Sequence, residues 1–497
     1  MSGPFPARAL RMTAAVASAL FISFGCKVGP NYQAPRVETP GSFSNATAQA
    51  ASGPSTSPTT KQSVVDAQSA PWIDWWTKFN DPQLDSLVAR ALKANHELAV
   101  ATARVNEARA AERVAKSGLY PTVDISTAFL KSRGSAAGFG FPYGLPGADT
   151  NLFQIGFDAT YEVDLFGGVR RSVEAAGALA EATVDQRRAV QVTLLGEVAR
   201  NYISLRALQR RLAVAQANLQ DQQKTLDVVE RRLKNGLATT FDRVRATAQL
   251  AATESSIPPL QAGINQTMYS LAVLLGELPT ALVDELTVAA PIPPVPPKVP
   301  VGMPSELLRR RPDVMRAERI LAAATAEQGV ATSDLFPHLL LGATAGVQSR
   351  HLDHLFTQNN GGSGFYAAGP AASWTIFDGG RRMANIDRSN ARVAGALSDY
   401  EGTVLAALRD VESTLTSYSH DQARRETLSK LVAQNQEAVR IAEQQYANGL
   451  IDLLDVLEVQ RNLYAAQDAL AQSDQAVSSD LVAIYKALGG GWENQAP

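Results

Sequence analysis

Cysteine is almost absent from this chain. Cys26 is the only one in 497 residues, which excludes an intrachain disulfide and any cysteine-based metal cluster. Histidine is scarce too, with five scattered residues. No nucleophile–base constellation, glycine-rich phosphate loop or paired buried carboxylate is evident, so neither an enzyme nor a cofactor is expected. Charge of one sign is also missing: a net −2 and a pI near 6.3 leave no basic footprint for nucleic acid. Beyond the N-terminal segment no run of eighteen apolar residues occurs, so a membrane-spanning helix is excluded.

What the chain has is repetition. Asn235-Gly236-Leu237, followed by Asp242, returns 213 residues later as Asn448-Gly449-Leu450, followed by Asp455. Leu274-Leu275-Gly276 matches Ala487-Leu488-Gly489 at the same offset. Tyr120-Pro121 matches Phe336-Pro337 at 216, and Gly167-Gly168 with Arg170 matches Gly379-Gly380 with Arg382 at 212. Landmarks in one order at nearly one spacing imply a duplicated architecture. Ala, Leu, Gln, Arg and Glu dominate the stretches between them, which favours extended helix.

The position of the cysteine is informative. Arg8 and Arg11 precede an apolar run from Met12 to Gly25, and Cys26 follows at once, so residues 1–25 have the pattern of a secretory signal. A cysteine directly after the cut is the acceptor for bacterial lipoprotein acylation. Ser23 and Gly25 also fit an ordinary small-x-small cleavage site, and that alternative stays open.

Residues 26–80 are expected to form a lipid-anchored extended tether, rich in Ser, Thr, Ala, Pro and Gln up to about residue 70. Pro291 to Pro304 holds seven prolines in fourteen residues, so 291–303 is an extended strap between repeat 1 (81–290) and repeat 2 (304–490). Helix starts are marked by Asp81-Pro82 and by Pro304-Ser305-Glu306. Leu194, Val198, Asn201, Leu205, Leu208, Leu212, Ala215, Leu219, Gln222, Leu226, Val229 and Leu233 follow an alternating 4-3 spacing, a coiled-coil seam on a long helix over 168–235. Its partner over 380–448 holds the pattern from Val404 to Tyr418, slips by one residue, and resumes at Leu428. A helix of that length runs about 100 Å at 1.5 Å per residue. Shorter helices over 82–119, 238–276, 304–335 and 450–488 match the long ones in pairs, giving long antiparallel hairpins.

Between the first short helix and the long helix of each half lies strand-period sequence, about 122–164 and 338–377. Phe153 to Asp164 alternates strictly, with Phe153, Ile155, Phe157, Ala159, Tyr161 and Val163 apolar and their neighbours polar. That pattern fits one tilted pass through a bilayer around a wet interior. Thr122–Leu130, Leu339–Val347 and Tyr366–Ile376 are its companions. Four strands cannot close a barrel and open edges are not tolerated in lipid, so a symmetric trimer with twelve strands is expected. Pro121 and Pro337 stop a helix before a strand, and the pairs Gly167-Gly168 and Gly379-Gly380 allow the strand-to-helix turn.

Several motifs together resemble one family. Cys26-Lys27-Val28-Gly29-Pro30-Asn31-Tyr32, Trp75-Trp76, Asp81-Pro82-Gln83-Leu84, Pro304-Ser305-Glu306-Leu307-Leu308, Arg310-Arg311-Pro312-Asp313, Phe377-Asp378-Gly379-Gly380 and Tyr446-Ala447-Asn448-Gly449-Leu450 are similar to the TolC/OprM-type outer-membrane factors, in their lipoprotein (NodT-like) branch. The resemblance implies a mainly α, internally duplicated chain whose trimer joins a helical α-barrel to a twelve-stranded outer-membrane β-barrel. It implies a passive efflux duct partnered by a periplasmic adaptor and an inner-membrane RND-type pump. It also implies a periplasmic gate at the tip turns Gly236 and Gly449, with acids at Asp455 and Glu458 beside Tyr446 and Asp242. Ile451 stands where the family has the basic partner, and Arg243 or Arg245 could replace it. Asp452, Asp455 and Glu458 share roughly one helix face, which in a three-fold assembly would make acidic rings.

Two other clusters are weighed and set aside. His351-Leu352-Asp353-His354 has two histidines three apart, but an exposed loop with no further ligand is a poor metal site. Trp72, Trp75, Trp76 and Phe79 are expected to pack rather than bind. The rival readings are an exit duct for type I protein secretion and a periplasmic coiled-coil scaffold with no pore.

Overall fold

The computed structural model describes residues 26–38, 40–43, 64–66, 72–133, 149–356 and 362–493. The expected signal segment 1–25 and, of the expected tether, residues 39, 44–63 and 67–71 lie outside them. In chain order the first half holds β1 (Val64–Asp66), α1 (Pro82–Ala94), α2 (His96–Ser117), β2 (Thr122–Arg133), β3 (Asp149–Val163), α3 (Gly168–Lys234), α4 (Thr240–Glu254), α5 (Ile257–Leu274) and α6 (Val283–Leu286). After the proline strap, which contains β4 (Lys298–Pro300), come α7 (Pro304–Arg310), α8 (Pro312–Ser333), β5 (His338–Ser349), β6 (Gly364–Ser373), α9 (Arg381–Ala447) and α10 (Leu453–Ala487). The two long helices, α3 and α9, are each 67 residues.

The repeated glycines end helices. Gly236 and Gly449 follow α3 and α9 with φ of 72° and 74°, while Gly276 and Gly489 follow α5 and α10 with φ of 72° and 75°. Just after each, an amide reaches back past the last turn: Leu237 N donates to Arg232 O at 2.8 Å and Leu450 N to Gln445 O at 2.9 Å. Glu277 N donates to Ala272 O and Gly490 N to Tyr485 O in the same way, at 2.9 and 3.1 Å. This closure needs a left-handed residue, which is why glycine recurs there.

Three of the expected helices are interrupted. The run over 82–119 breaks at Asn95, whose side chain accepts from Leu98 N at 2.9 Å, capping α2, and donates to Leu274 O at 2.9 Å. The run from 304 breaks at Arg311, because the residue before Pro312 is pushed to extended backbone (φ −73°, ψ 119°). Arg311 secures that break, pairing through two nitrogens with Asp313 at 3.0 and 2.6 Å and donating to Ala487 O at 2.9 Å. Burial opposes its charge, but Asp313 and Asp410 outweigh that and hold its pKa above the ordinary value. The run over 238–276 breaks at Ser255-Ser256, before Pro258 and Pro259, whereas α10 is continuous.

The described residues fall in two compact units, each drawing on both halves of the sequence. The unit of Met1–Pro35, Asn106–Ala182 and Glu318–Asp399 carries a four-stranded antiparallel sheet of order β2-β3-β5-β6. The other, of Arg36–Val105, Thr183–Ala317 and Tyr400–Pro497, holds the main core. None of the twelve seam residues of α3 is exposed. At the phase slip of α9 the seam passes through buried Gln422 and through Arg425, which pairs with Asp474 at 2.5 Å. The proline strap is fastened rather than loose: β4 pairs in parallel with β1, Val299 and Val301 are buried, and Trp72 Nε1 donates to Pro300 O at 2.9 Å. Trp75 stacks on Tyr485 with centroids 5.3 Å apart and meets Trp76 and Phe79 edge-on. The aromatic cluster is therefore packing.

These joints can be tested by melting. At Gly236 a Cβ would meet nothing, so Gly236→Ala should cost only the left-handed strain, about 1–2 kcal/mol. At Gly276 a Cβ would also fall 2.4 Å from Ala94 O, so Gly276→Ala should cost more in thermal unfolding than Gly236→Ala. A separate test concerns Asp480 on α10, whose pKa is pushed up to about 7 by burial and by Asp421 beside it. A raised carboxyl binds its proton more tightly folded than unfolded, so its stabilising share is present in acid and lost as pH climbs towards 7. Asp480→Asn should match the wild type near pH 4 and be the more stable above pH 7 in parallel melts.

Candidate functional site

The sheet has two chemically different faces. Residues directly paired across antiparallel strands share a face. The register sets Val123, Ile125 and Phe129 of β2 against Ala159, Phe157 and Phe153 of β3. It sets Ala159, Phe157 and Ile155 against Ala343, Ala345 and Val347 of β5, and Leu341 and Ala345 against Pro370 and Tyr366 of β6. Val123, Ile125, Phe129, Phe157, Leu341 and Tyr366 of this face are exposed. The other face carries the rows Thr122-Thr160-Gly342 and Asp124-Asp158-Thr344, with Gln154 opposite Gln348. Ser126 Oγ donates to Asp158 Oδ2 at 2.6 Å, and the Phe365 ring lies over Gly156 and Gly346.

The structure corrects the strand limits. The alternation predicted over Phe153–Asp164 covers Asp149–Val163, and the strand predicted to Ile376 stops at Ser373. Asp164 and Asp378 lie outside because each closes a turn. Asp164 accepts from Val169 N and Arg170 N at 3.2 and 2.9 Å and pairs with Arg170 Nε at 3.0 Å. Asp378 accepts from Gly380 N at 3.2 Å and from Arg382 Nε at 2.9 Å. Gly167, Gly379 and Gly380 have φ of 81°, 66° and 88°, and Gly168 opens α3. Pro121 and Pro337 each stand one residue before a strand, as the sequence predicts. Near this end of the sheet Tyr120, Trp374 and Phe377 are exposed, and Phe166 stacks on Phe336 with centroids 4.6 Å apart. Cys26 is exposed.

The tip turns gather a second group. Leu226, Val229, Ala246, Ala442, Tyr446, Leu453, Val456 and Leu457 form a small core. Arg232 caps α9, donating to Tyr446 O at 2.7 Å, and its guanidinium lies over the Tyr446 ring at 4.7 Å. Burial raises the Tyr446 pKa; the Arg232 charge opposes that, while Asp242 and Asp452 add to it. Asp242 itself is spent on a capping box: its carboxylate accepts from Thr239 N at 2.8 Å while Asp242 N donates to Thr239 Oγ1 at 3.1 Å. Asp452 precedes α10 as its cap residue, and Asp455 and Glu458 stand exposed on its first two turns. Arg245 stacks on Phe241 at 4.3 Å and Arg243 is exposed. Within the chain the basic residue that meets Tyr446 is Arg232, which sequence spacing does not single out. Leu237, Phe241 and Val244 at one turn and Leu450 and Leu454 at the other are exposed apolar residues. His351 and His354 sit at a short 3-10 turn with ring centroids 5.6 Å apart.

Comparison with known proteins places this geometry. A family model described as outer membrane efflux protein matches residues 87–277 and again 303–490, one stretch in each half. The pyoverdine export outer membrane protein OpmQ of Pseudomonas putida is 34% identical over 87% of this chain and 91% of its own. The toluene efflux pump outer membrane protein TtgC, from another strain of Pseudomonas putida, is 32% identical over 96% and 94%. Among solved structures, the outer-membrane channel OprN superposes with a TM-score of 0.85 at 33% identity, covering 94% of this chain and all of that one.

Arg232→Ala should loosen the second tip, removing a helix cap and a ring contact together worth about 1–2 kcal/mol. Amide exchange over residues 444–450 should quicken several-fold, with Arg232→Lys intermediate. Unchanged exchange there would show that Arg232 does not hold this turn.

Proposed function

The chain belongs to the outer membrane efflux protein family, and on that premise we propose that it is the outer-membrane duct through which a tripartite efflux system discharges small molecules. The observation that carries this is the four-stranded sheet with an exposed apolar face backed by a polar one. Among the described residues β2 and β6 each have one neighbour, so each leaves an open edge. Open edges are intolerable in hydrocarbon. Three chains joined β2 to β6 would close twelve strands, with Asp124, Asp158 and the Gln154–Gln348 row facing water inside.

Conduction in such a duct is passive, and a periplasmic adaptor with a proton-driven inner-membrane pump supplies energy and cargo. The exposed apolar residues Leu237, Phe241, Leu450 and Leu454 suit an adaptor's docking surface at the tips. Asp452, Asp455 and Glu458 would ring the entrance and favour cations there. OpmQ is named for pyoverdine and TtgC for toluene, and both resemble this chain almost equally, which supports a duct open to small molecules of unlike chemistry. Acylation of Cys26 would add a lipid anchor to the barrel.

In-cell cross-linking should recover the trimer with an adaptor and a proton-driven pump. An ATP-driven exporter in their place would move the assignment to protein secretion. Leu237→Asp with Leu450→Asp should abolish adaptor recovery while leaving the trimer intact; undiminished recovery would remove the tips from the docking surface. In planar bilayers, Asp455→Ala with Glu458→Ala should reduce cation preference or raise closed-state leak, and identical traces would end the gate reading.

A further inference from the structure

The segment after Cys26 is extended, but it is not free. Arg171, near the start of α3, is fully buried and spends its guanidinium on that segment. Its Nε donates to Val28 O at 3.1 Å and its Nη2 to Gly29 O and Asn31 Oδ1 at 3.1 and 2.8 Å. Its Nη1 pairs with Glu174 at 3.0 Å, and Glu174 also takes Lys27. Val28 N donates to Phe166 O at 3.1 Å, and Arg170 reaches Cys26 O at 3.5 Å.

Shape adds to charge. Gly29, at φ +81°, lies so close to α8 that a Cβ on it would fall 2.6 Å from Gly329 Cα. A Cβ on Gly329 would in turn fall 2.7 Å from Arg171 Nε. Tyr32 then hydrogen-bonds Glu318 of the same helix at 3.1 Å. Two glycines and a buried arginine with four partners make a seat, not an incidental contact.

We infer that Arg171, Glu174 and Gly329 form a receptor for the chain's own mature N-terminus, which fixes Cys26 beside the aromatic end of the sheet. Cys26 stands two residues from the Val28–Phe166 bond, about 7 Å of extended chain. Phe166 follows β3 by three residues, and the exposed Tyr120, Trp374 and Phe377 mark the same end. Such aromatics stand where a bilayer's apolar core meets its headgroups. Acyl chains on Cys26 would therefore enter the leaflet against the barrel wall, not at the end of a loose leash. The anchoring half of this inference rests on the acylation reading above; the seat does not.

Trypsin tests it, because cutting after Lys27 severs the anchor. In the detergent-purified full-length protein the Lys27–Val28 bond should resist. Arg171→Ala and Gly29→Ala should each raise its cleavage at least tenfold, with the rest of the tryptic map unchanged. Gly29→Ala alters only the tail, so it keeps the test valid should Arg171→Ala fold poorly. Equal cleavage in wild type and Gly29→Ala would overturn the seat, as would protection lost only when the helices are also cut. Intact mass of the N-terminal peptide reports acylation separately. An unacylated Cys26 with the same protection would uphold the seat and overturn the anchor.

Discussion

A backbone amide facing hydrocarbon has no water to bond, and that constraint governs what this chain must be. The sheet has one exposed apolar face and, among the described residues, two edges without a neighbouring strand, and lipid does not tolerate an unpaired edge. Its middle pairing, β3 with β5, joins strands from the two halves of the sequence, which explains why each half supplies two strands and neither can serve alone. The duplicated order of helix, strand pair, long helix and helix follows from that shared sheet.

The long helices answer a different demand. Their seam is apolar at most positions but admits Gln222 and Gln422, both buried, and Arg425 with Asp474. Buried polar groups are costly unless partnered, and the Arg425–Asp474 pair is satisfied at one register of its two helices. A purely apolar seam over 67 residues would tolerate sliding by a heptad. The aromatic cluster around Trp75 and the Arg311 joint add further points at which only one alignment is satisfied.

How much was legible in the sequence depends on how local each signal is. The glycine stops at 236, 276, 449 and 489 are legible because a left-handed closure needs that residue at that place. The β3 alternation is legible because its period is two and one face is apolar throughout. The strand end at Ser373 is not, because apolar residues continue to Ile376 and Phe377 while the Asp378 turn has already begun. The Asn95 break is hidden by good helix formers on both sides, although its counterpart before Pro312 follows from proline sterics. Arg171 and Arg232 leave no trace, because their main partners are carbonyl oxygens of distant segments, and every residue has a carbonyl. The resemblance supplied the acids at the tip but not the arginine that meets Tyr446.

The two halves are not equal in helical continuity. α10 carries Asp455 and Glu458 on one uninterrupted hydrogen-bonded rod, while the matching run in the first half is jointed at Ser255-Ser256, between α4 and α5. Duplication supplied two similar runs of sequence, and the prolines after Ser256 divide one of them into two helices and leave the other a single one.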